Sequence, residues 1–464
     1  MLNSKQQTIK RAITISGVGL HTGADCNMTF VPKEINYGIK FQRTDLDGQP
    51  IVDADVDYVV DLSRGTTIEH NGARINTVEH TLAALSGLEI DNVLIQLDGP
   101  EPPIMDGSSR YFVDALLEAG PEEQNALRNY FVVPENITYT DPSRNVEIAA
   151  LPLDDYRVTV MIDYNSPVLG SQHASITDIK KFSKDIASCR TFCFLHELEM
   201  LKSQNLIKGG DLNNAIVIVD RVVKDEELET LAKLFNKQKV EVKKEGILNN
   251  IELRYNNEPA RHKLLDVIGD LTLVGRPLKA QILAARPGHA ANIAFAKKLK
   301  KVMLQNQKNP IPVYDPNVPP VYDSKQIYKI LPHGHPFKMI DKIIHLEDTL
   351  VIGVKNVSIN EDYFTGHFPD NPVFPGVFQL EGMAQTGGVL ALSNVDDPEN
   401  YWAYFLGIEE CRFKKMIVPG DTVIYRCELL APIRRGIIKM QGHAYVSGQL
   451  VCEAVMIASL VRKP

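Results

Sequence analysis

This 464-residue sequence predicts an α+β fold in three units: two α+β layers that face each other, then an antiparallel sheet wrapped around one helix. Three observations lead there. The length exceeds a single core, and about 150 residues per domain gives roughly three domains. Two breaks divide the chain, a polar stretch near 122–132 (EEQNALRNYF) and a Lys-rich, then Pro-rich stretch at 294–322. The segment FPGVFQLEGMAQTGGVLALSN has helical character yet is apolar on nearly every side, and such a helix must be enclosed.

The elements follow in order. Residues 1–126 and 127–300 each mix alternating strand runs with an amphipathic helix, which predicts two similar layers without a visible sequence repeat. Lys297, Lys298, Lys300 and Lys301 are expected to end a helix, where cations suit the negative end of the dipole. Five prolines from Pro310 to Pro320 then make 301–323 an extended, semi-rigid connector. From 324 to 464, VIGVKNVSI, TVIYRCELLAPI, GIIKMQGHAYVS and LVCEAVMIASL read as strands rich in Val and Ile. With the apolar helix between the first strand and the rest, this is a hot-dog arrangement.

Composition narrows the functional classes. A hydrophobic content of 44% and a charged content of 23% are those of a globular protein. The net charge of -8 offers no basic surface for nucleic acid, so no nucleic-acid partner is expected. MLNSKQQTIKRAITISG lacks an apolar signal region and no run of 18 apolar residues occurs, so no integral membrane segment and a cytoplasmic location are expected. The six cysteines (26, 189, 193, 411, 427, 452) have neither redox nor structural-zinc spacing and read as buried, reduced hydrophobes.

Five residues far apart in the chain make a metal hydrolase signature: Glu79 and His80 in NTVEH, and His262, Asp266 and Asp270 in RHKLLDVIGD. On a helix, the spacing of four puts His262, Asp266 and Asp270 on one stripe. Catalytic zinc takes three N/O protein ligands and keeps a position for water, and His80, His262 and Asp266 would supply that set. Glu79, beside a ligand, would take the proton of a water whose pKa zinc lowers to about 7. Single His and Asp residues on helices are mostly solvated or structural, and HxxxD alone would favour that reading. Company changes the balance. His289 in ARPGHAANIAF adds a second titrating group to protonate a leaving amine, Asp270 would orient its ring, and Thr191 in CRTFCF adds a hydroxyl for an oxyanion.

SGVGLHTG (16–23), NTVEH (76–80), IDNVLIQLDGPEPPIMDGSS (90–109), RTFCF (190–194), NNAIV (213–217), NEPARHKLLDVIGDL (257–271) and GHAANIAF (288–295) resemble, in order, the zinc-dependent UDP-3-O-acyl-N-acetylglucosamine deacetylase family of lipid A synthesis. The resemblance covers about the first 300 residues. It implies Zn2+ on His80, His262 and Asp266, Glu79 as general base, His289 as general acid, Asp270 as partner of His289 and Thr191 at the tetrahedral oxygen. It further implies that Lys263 reaches the polar head of the UDP-linked acylated glucosamine and that Asp163 and Tyr164 hold the uracil, where Phe is commoner than Tyr. Phe192 and the stretch around Leu206, Ile207, Gly209 and Gly210 would line an acyl passage.

In the last third, His367 sits in the Pro-rich loop YFTGHFPDNPVFPG and Glu381 projects from the apolar helix. A buried Glu is neutral, paired, or exposed at an interface, and a solvated rim Glu with an ordinary loop His is the plainer alternative. GHFPDNPVFPG followed by EGMAQ, with LPHGHPFKMID (331–341), PGDTV (419–423) and RRGIIKMQGHAYV (434–446), resembles the 3-hydroxyacyl-[acyl carrier protein] dehydratase family of fatty acid synthesis from about 324 onward. That resemblance implies that His367 takes the C2 proton, Glu381 helps the C3 hydroxyl leave, and the Gly376 N–H polarises the thioester carbonyl. It also implies that His and Glu meet across a two-fold interface, so a homo-oligomer is expected. Arg412, Lys414, Lys415, Arg434, Arg435 and Lys439 read either as a patch for acyl carrier protein or as solvated strand ends. The expectation is therefore a bifunctional enzyme, an amide hydrolase fused to a hydro-lyase. Its rivals are a hot-dog thioesterase in the last third, which would release free thiol, and a non-catalytic scaffold, which would bind no metal.

Overall fold

The computed structural model describes residues 4–63, 65–197, 214–234, 239–243, 246–248, 251–308 and 311–464. They divide into two compact units, Met1–Gln305 and Asn306–Pro464.

The first unit contains two five-stranded arrangements with one topology. In the first layer the strands lie in the order Ile13–Val18, Asp25–Pro32, Val93–Leu97, Ile39–Arg43, Ile51–Asp53. In the second they lie in the order Ile137–Asp141, Val146–Pro152, Leu278–Ala285, Tyr156–Asp163, Ser171–Ile176. Both orders read first, second, fifth, third, fourth along the chain, and within each order the fifth and third strands are the parallel pair; in the second layer the short strand Phe131–Val132 also pairs parallel with Leu278–Ala285. A helix precedes the fifth strand of each layer, α1 (Glu79–Gly87) in the first. α2 (Arg110–Ala119) follows that layer's fifth strand. The second layer matches it with α3 (Glu258–Thr272) before and α4 (His289–Lys308) after. This is the duplication expected without a sequence repeat, and it survives because layer packing constrains the polar/apolar period rather than residue identity.

Strand Asp25–Pro32 shows that period: Cys26, Met28 and Phe30 are buried while Asp25 and Asn27 are exposed. α1 and α3 pack against each other, and the apolar residues of both layers form one core that includes Leu82, Leu85, Leu264 and Ile268. α4 differs from expectation, since the Lys cluster does not end it. The helix runs on to Lys308 because Met303 is still buried in the core, and the first residue unable to continue a helix is Pro310. Lys300 instead ion-pairs with Asp55 and Asp57.

The second unit is a six-stranded antiparallel sheet in the order Lys342–Leu346, Leu350–Asn356, Thr422–Leu429, Ile437–Val446, Gln449–Arg462, Tyr401–Phe413. It packs on α5 (Gly376–Ser393), whose Leu380, Met383, Leu390 and Leu392 are all buried. The hot-dog arrangement read from the sequence is present, with two strands more, Lys342–Leu346 and Tyr401–Phe413, one at each edge. Tyr401–Phe413 was missed because two register shifts break its alternation. Among the described residues no helix is long and apolar enough to cross a membrane.

Candidate active sites

The metal cluster lies where α1 and α3 cross. Gly269 permits the crossing, since a Cβ there would stand 2.1 Å from the Glu79 carbonyl oxygen. Gly269→Ala is therefore expected to force the helices apart at about 1–3 kcal/mol. A lowered unfolding temperature, with loss of the first unit's activity alone, is the outcome to measure.

At this crossing His80, His262 and Asp266 bring one ligand atom each within 4.8 Å of one another, all three buried. His262 Nε2 is 3.3 Å and His80 Nε2 3.8 Å from Asp266 Oδ1. That oxygen is buried and has no hydrogen-bond partner among the described residues. Burial lowers the pKa of both imidazoles, His80 to about 3, where His262, His289 and Lys263 add to the effect and Asp266 opposes it. Both rings are thus neutral and offer lone pairs. His262 Nδ1 donates to the Cys189 carbonyl at 3.0 Å, which leaves Nε2 as the ligand atom. Burial alone would raise Asp266, yet its cationic neighbours Lys263 and His289 pull the other way, and the carboxyl is held well below its usual range. Two neutral imidazoles, an ionised carboxylate and an orphaned oxygen suit a zinc-type cation.

Around this set sit the proton-transfer groups. Glu79 Oε2 accepts the Thr66 N–H at 2.9 Å, and burial pushes its pKa up to about 7 against the opposing pull of His289. His289 Nε2 is 4.0 Å from Glu79 Oε1 and 3.9 Å from Asp266 Oδ2. Its Nδ1 lies 2.9 Å from Asp270 Oδ2. Burial disfavours the imidazolium, but Asp270 and the other carboxylates override this and raise His289 to about 9. Asp270 is held by Thr66 Oγ1 at 2.5 Å and Asn292 Nδ2 at 2.8 Å.

Lys263 donates to Asp266 Oδ2 at 2.8 Å, and its Nζ lies 5.6 Å from the centre of the Phe192 ring. Phe192 meets the His262 ring at 6.5 Å and the Tyr164 ring at 5.6 Å. Asp163, next along, accepts from Arg286 at 2.9 Å. Thr191 precedes Phe192, with its N–H bonded to the Gly107 carbonyl at 2.8 Å. These contacts link Glu79, His80, His262, Lys263, Asp266, Asp270, His289, Phe192 and Tyr164, while Thr191 and Asp163 adjoin them as chain neighbours of Phe192 and Tyr164. Leu206, Ile207, Gly209 and Gly210 lie outside the described residues.

Sequence reasoning missed Thr66, Asn292 and the Cys189 carbonyl. Asn292 had a signal, one turn after His289 on α4. Cys189 had none, because its place depends on the buried Arg190–Glu258 pair at 2.9 Å, which ties this segment to the first turn of α3.

In the second unit His367 Nδ1 donates to the Val373 carbonyl at 2.7 Å, leaving Nε2 as the basic nitrogen. Glu381 lines a cavity of about 170 Å3 with Leu331, Met440 and Met456, and among the described residues its lining does not include His367. Gly376 opens α5 beneath Phe413, whose ring would lie 2.9 Å from a Cβ there. Of the basic residues, Lys439 pairs with Glu409 at 3.0 Å and Lys414 with Glu453 at 3.3 Å.

Comparison with known proteins gives a family for each unit. Residues 6–232 and 231–301 match the family model "UDP-3-O-acyl N-acetylglycosamine deacetylase", and 331–455 match the "FabA-like domain". The UDP-3-O-acyl-N-acetylglucosamine deacetylase of Myxococcus xanthus is 37% identical over 63% of this chain and 86% of its own length. A protein of Chlorobaculum tepidum named bifunctional enzyme LpxC/FabZ is 46% identical, and one of the same name from Bacteroides thetaiotaomicron is 45% identical, each over 99% of both chains. With that identity held along both units, the chain belongs to the bifunctional LpxC/FabZ family.

Proposed function

We propose that the first unit hydrolyses the acetamide of a UDP-linked 3-O-(3-hydroxyacyl)glucosamine, and that the second dehydrates (3R)-hydroxyacyl-[acyl carrier protein] to the trans-2-enoyl thioester. The observation that carries the first activity is the buried His80, His262 and Asp266 cluster, with an ionisable carboxylate and a carboxylate-paired imidazole within 4.0 Å of each other beside it.

His80, His262 and Asp266 would hold zinc, which when bound supplies a Lewis acid that polarises the amide carbonyl and acidifies water. Glu79 takes the proton of the attacking water. His289, kept cationic by Asp270, gives a proton to the departing amine. Thr191 faces the developing oxyanion, Lys263 the polar head, Asp163 and Tyr164 the uracil, and Phe192 the acyl chain. Domains 1–126 and 127–300 share this site, a division supported by their common strand order. The connector expected over 301–323 begins as the last turns of α4, to Lys308, and leads to the dehydratase at 324–464.

In the second unit the Nε2 of His367 takes the C2 proton, and Glu381 protonates the C3 hydroxyl as it leaves as water. The Gly376 N–H at the start of α5 polarises the thioester carbonyl. The pair is completed by a second copy, as the resemblance to the dehydratase family implies; His367 is not among the residues that line the Glu381 cavity. The edge strand Tyr401–Phe413 supports this, for it leaves Trp402, Tyr404, Phe405, Leu406 and Ile408 exposed on an open edge. Both substrates ride on water-soluble carriers, a nucleotide and acyl carrier protein, which favours the cytoplasm.

Subunit mixing tests this reading. His367→Ala and Glu381→Ala homodimers should each be inactive, whereas refolding them together should restore roughly a quarter of wild-type dehydration, because about half the dimers are mixed and each has one intact site of two. No recovery despite mass-spectrometric proof of mixed dimers would place the pair within one chain or make Glu381 structural.

A further inference from the structure

The chemistry above leaves one polar group of the Glu381 cavity without a role. That cavity is lined largely by apolar side chains, but Glu381, Gln385 and His333 also line it and touch one another. Gln385 Nε2 donates to Glu381 Oε1 at 2.8 Å and to the Phe337 carbonyl at 2.8 Å, while Gln385 Oε1 accepts the Met339 N–H at 2.9 Å. With its oxygen committed to a backbone donor, the amide can present only N–H to the carboxylate. His333 Nε2 lies 3.5 Å from the same Oε1, and its ring stacks on Phe337 at 24°. The charged neighbour on this loop, Lys338, turns toward the Tyr328 ring, 3.4 Å from its centre.

The geometry has a chemical consequence. Gln385 hydrogen-bonds Oε1 and His333 Nε2 faces the same oxygen at 3.5 Å, so Oε2 is the oxygen left for substrate. A carboxylic acid with one oxygen that accepts a hydrogen bond and faces a ring nitrogen carries its proton on the other oxygen. That is where the proton must sit if the C3 hydroxyl is to leave as water.

We propose that His333 is a positioning residue of the dehydratase: together with Gln385 it occupies Oε1 of Glu381, so that Oε2 carries and delivers the proton to the departing hydroxyl. The inference rests on the dehydratase reading above. It assigns to the Pro-His motif of LPHGHPF a task in catalysis beyond shaping the loop.

The test compares steady-state dehydration of a (3R)-hydroxyacyl-[acyl carrier protein] by the full chain as wild type, His333→Ala, His333→Gln and Glu381→Gln. His333→Ala should lower kcat about ten- to a hundredfold, the effect expected when one hydrogen bond to an acidic group is lost, with KM changed less than about threefold. His333→Gln, which still offers an N–H, should recover most of kcat. Thermal unfolding of both variants should match that of wild type. A His333→Ala enzyme within about threefold of wild-type kcat would overturn the proposal, as would a His333→Gln enzyme no faster than His333→Ala. The underlying reading fails separately, if wild type forms no enoyl thioester or Glu381→Gln remains fully active.

Discussion

His262→Ala is expected to release the metal and abolish deacetylation while dehydration continues at the wild-type rate. His262 would supply one of three ligand atoms in a site where Asp266 Oδ1 has no hydrogen-bond partner among the described residues and Lys263 already takes Oδ2. Two remaining ligands cannot match a three-ligand site. Losing an orienting partner alone costs about 10- to 100-fold in metal affinity, so losing a ligand should exceed that range. The two activities should separate, because His80, His262 and Asp266 lie within Met1–Gln305 and His367 and Glu381 within Asn306–Pro464. Metal content by mass spectrometry, with both rates measured on one preparation, decides the matter. Stoichiometric zinc in the folded variant would sink the ligand assignment.

Glu79→Gln should retain the metal yet lose about 10²- to 10⁴-fold in turnover, the usual contribution of a positioned general base. The substitution keeps the shape and an oxygen for the Thr66 N–H, so its effect is chemical. The pH profile gives the sign. A base works only when ionised, so the rate climbs with pH as Glu79 loses its proton; burial sets that near 7, and a bound cation moves it lower. An acid works only when protonated, so the rate falls as His289 deprotonates near 9. The wild-type profile should be bell-shaped, and Glu79→Gln should erase its acidic limb. Survival of both the limb and the rate would require the roles to be redrawn.

The legible part of the first site was the part written at helical spacing. His262, Asp266 and Asp270 recur every four residues because one face of α3 must carry them, and a local period survives in one dimension. The partners that hold them did not show in the same way. Thr66 reaches Asp270 from 204 positions away, and the Cys189 carbonyl reaches His262 from 73. In the second unit, Gln385 was legible as a neighbour of Glu381 one helical turn on, while His333 belongs to a loop that only packing brings to it.

The sequence by itself determined the two chemistries, the α+β and hot-dog classes, and the order of the units, since each rests on residue types and local periods. Only the tertiary structure decided that two layers with one strand order present matching helices to each other, and which oxygen of each carboxylate is occupied. Those outcomes depend on contacts across long loops, on the absence of a Cβ at Gly269, and on hydrogen-bond directions that no linear pattern encodes.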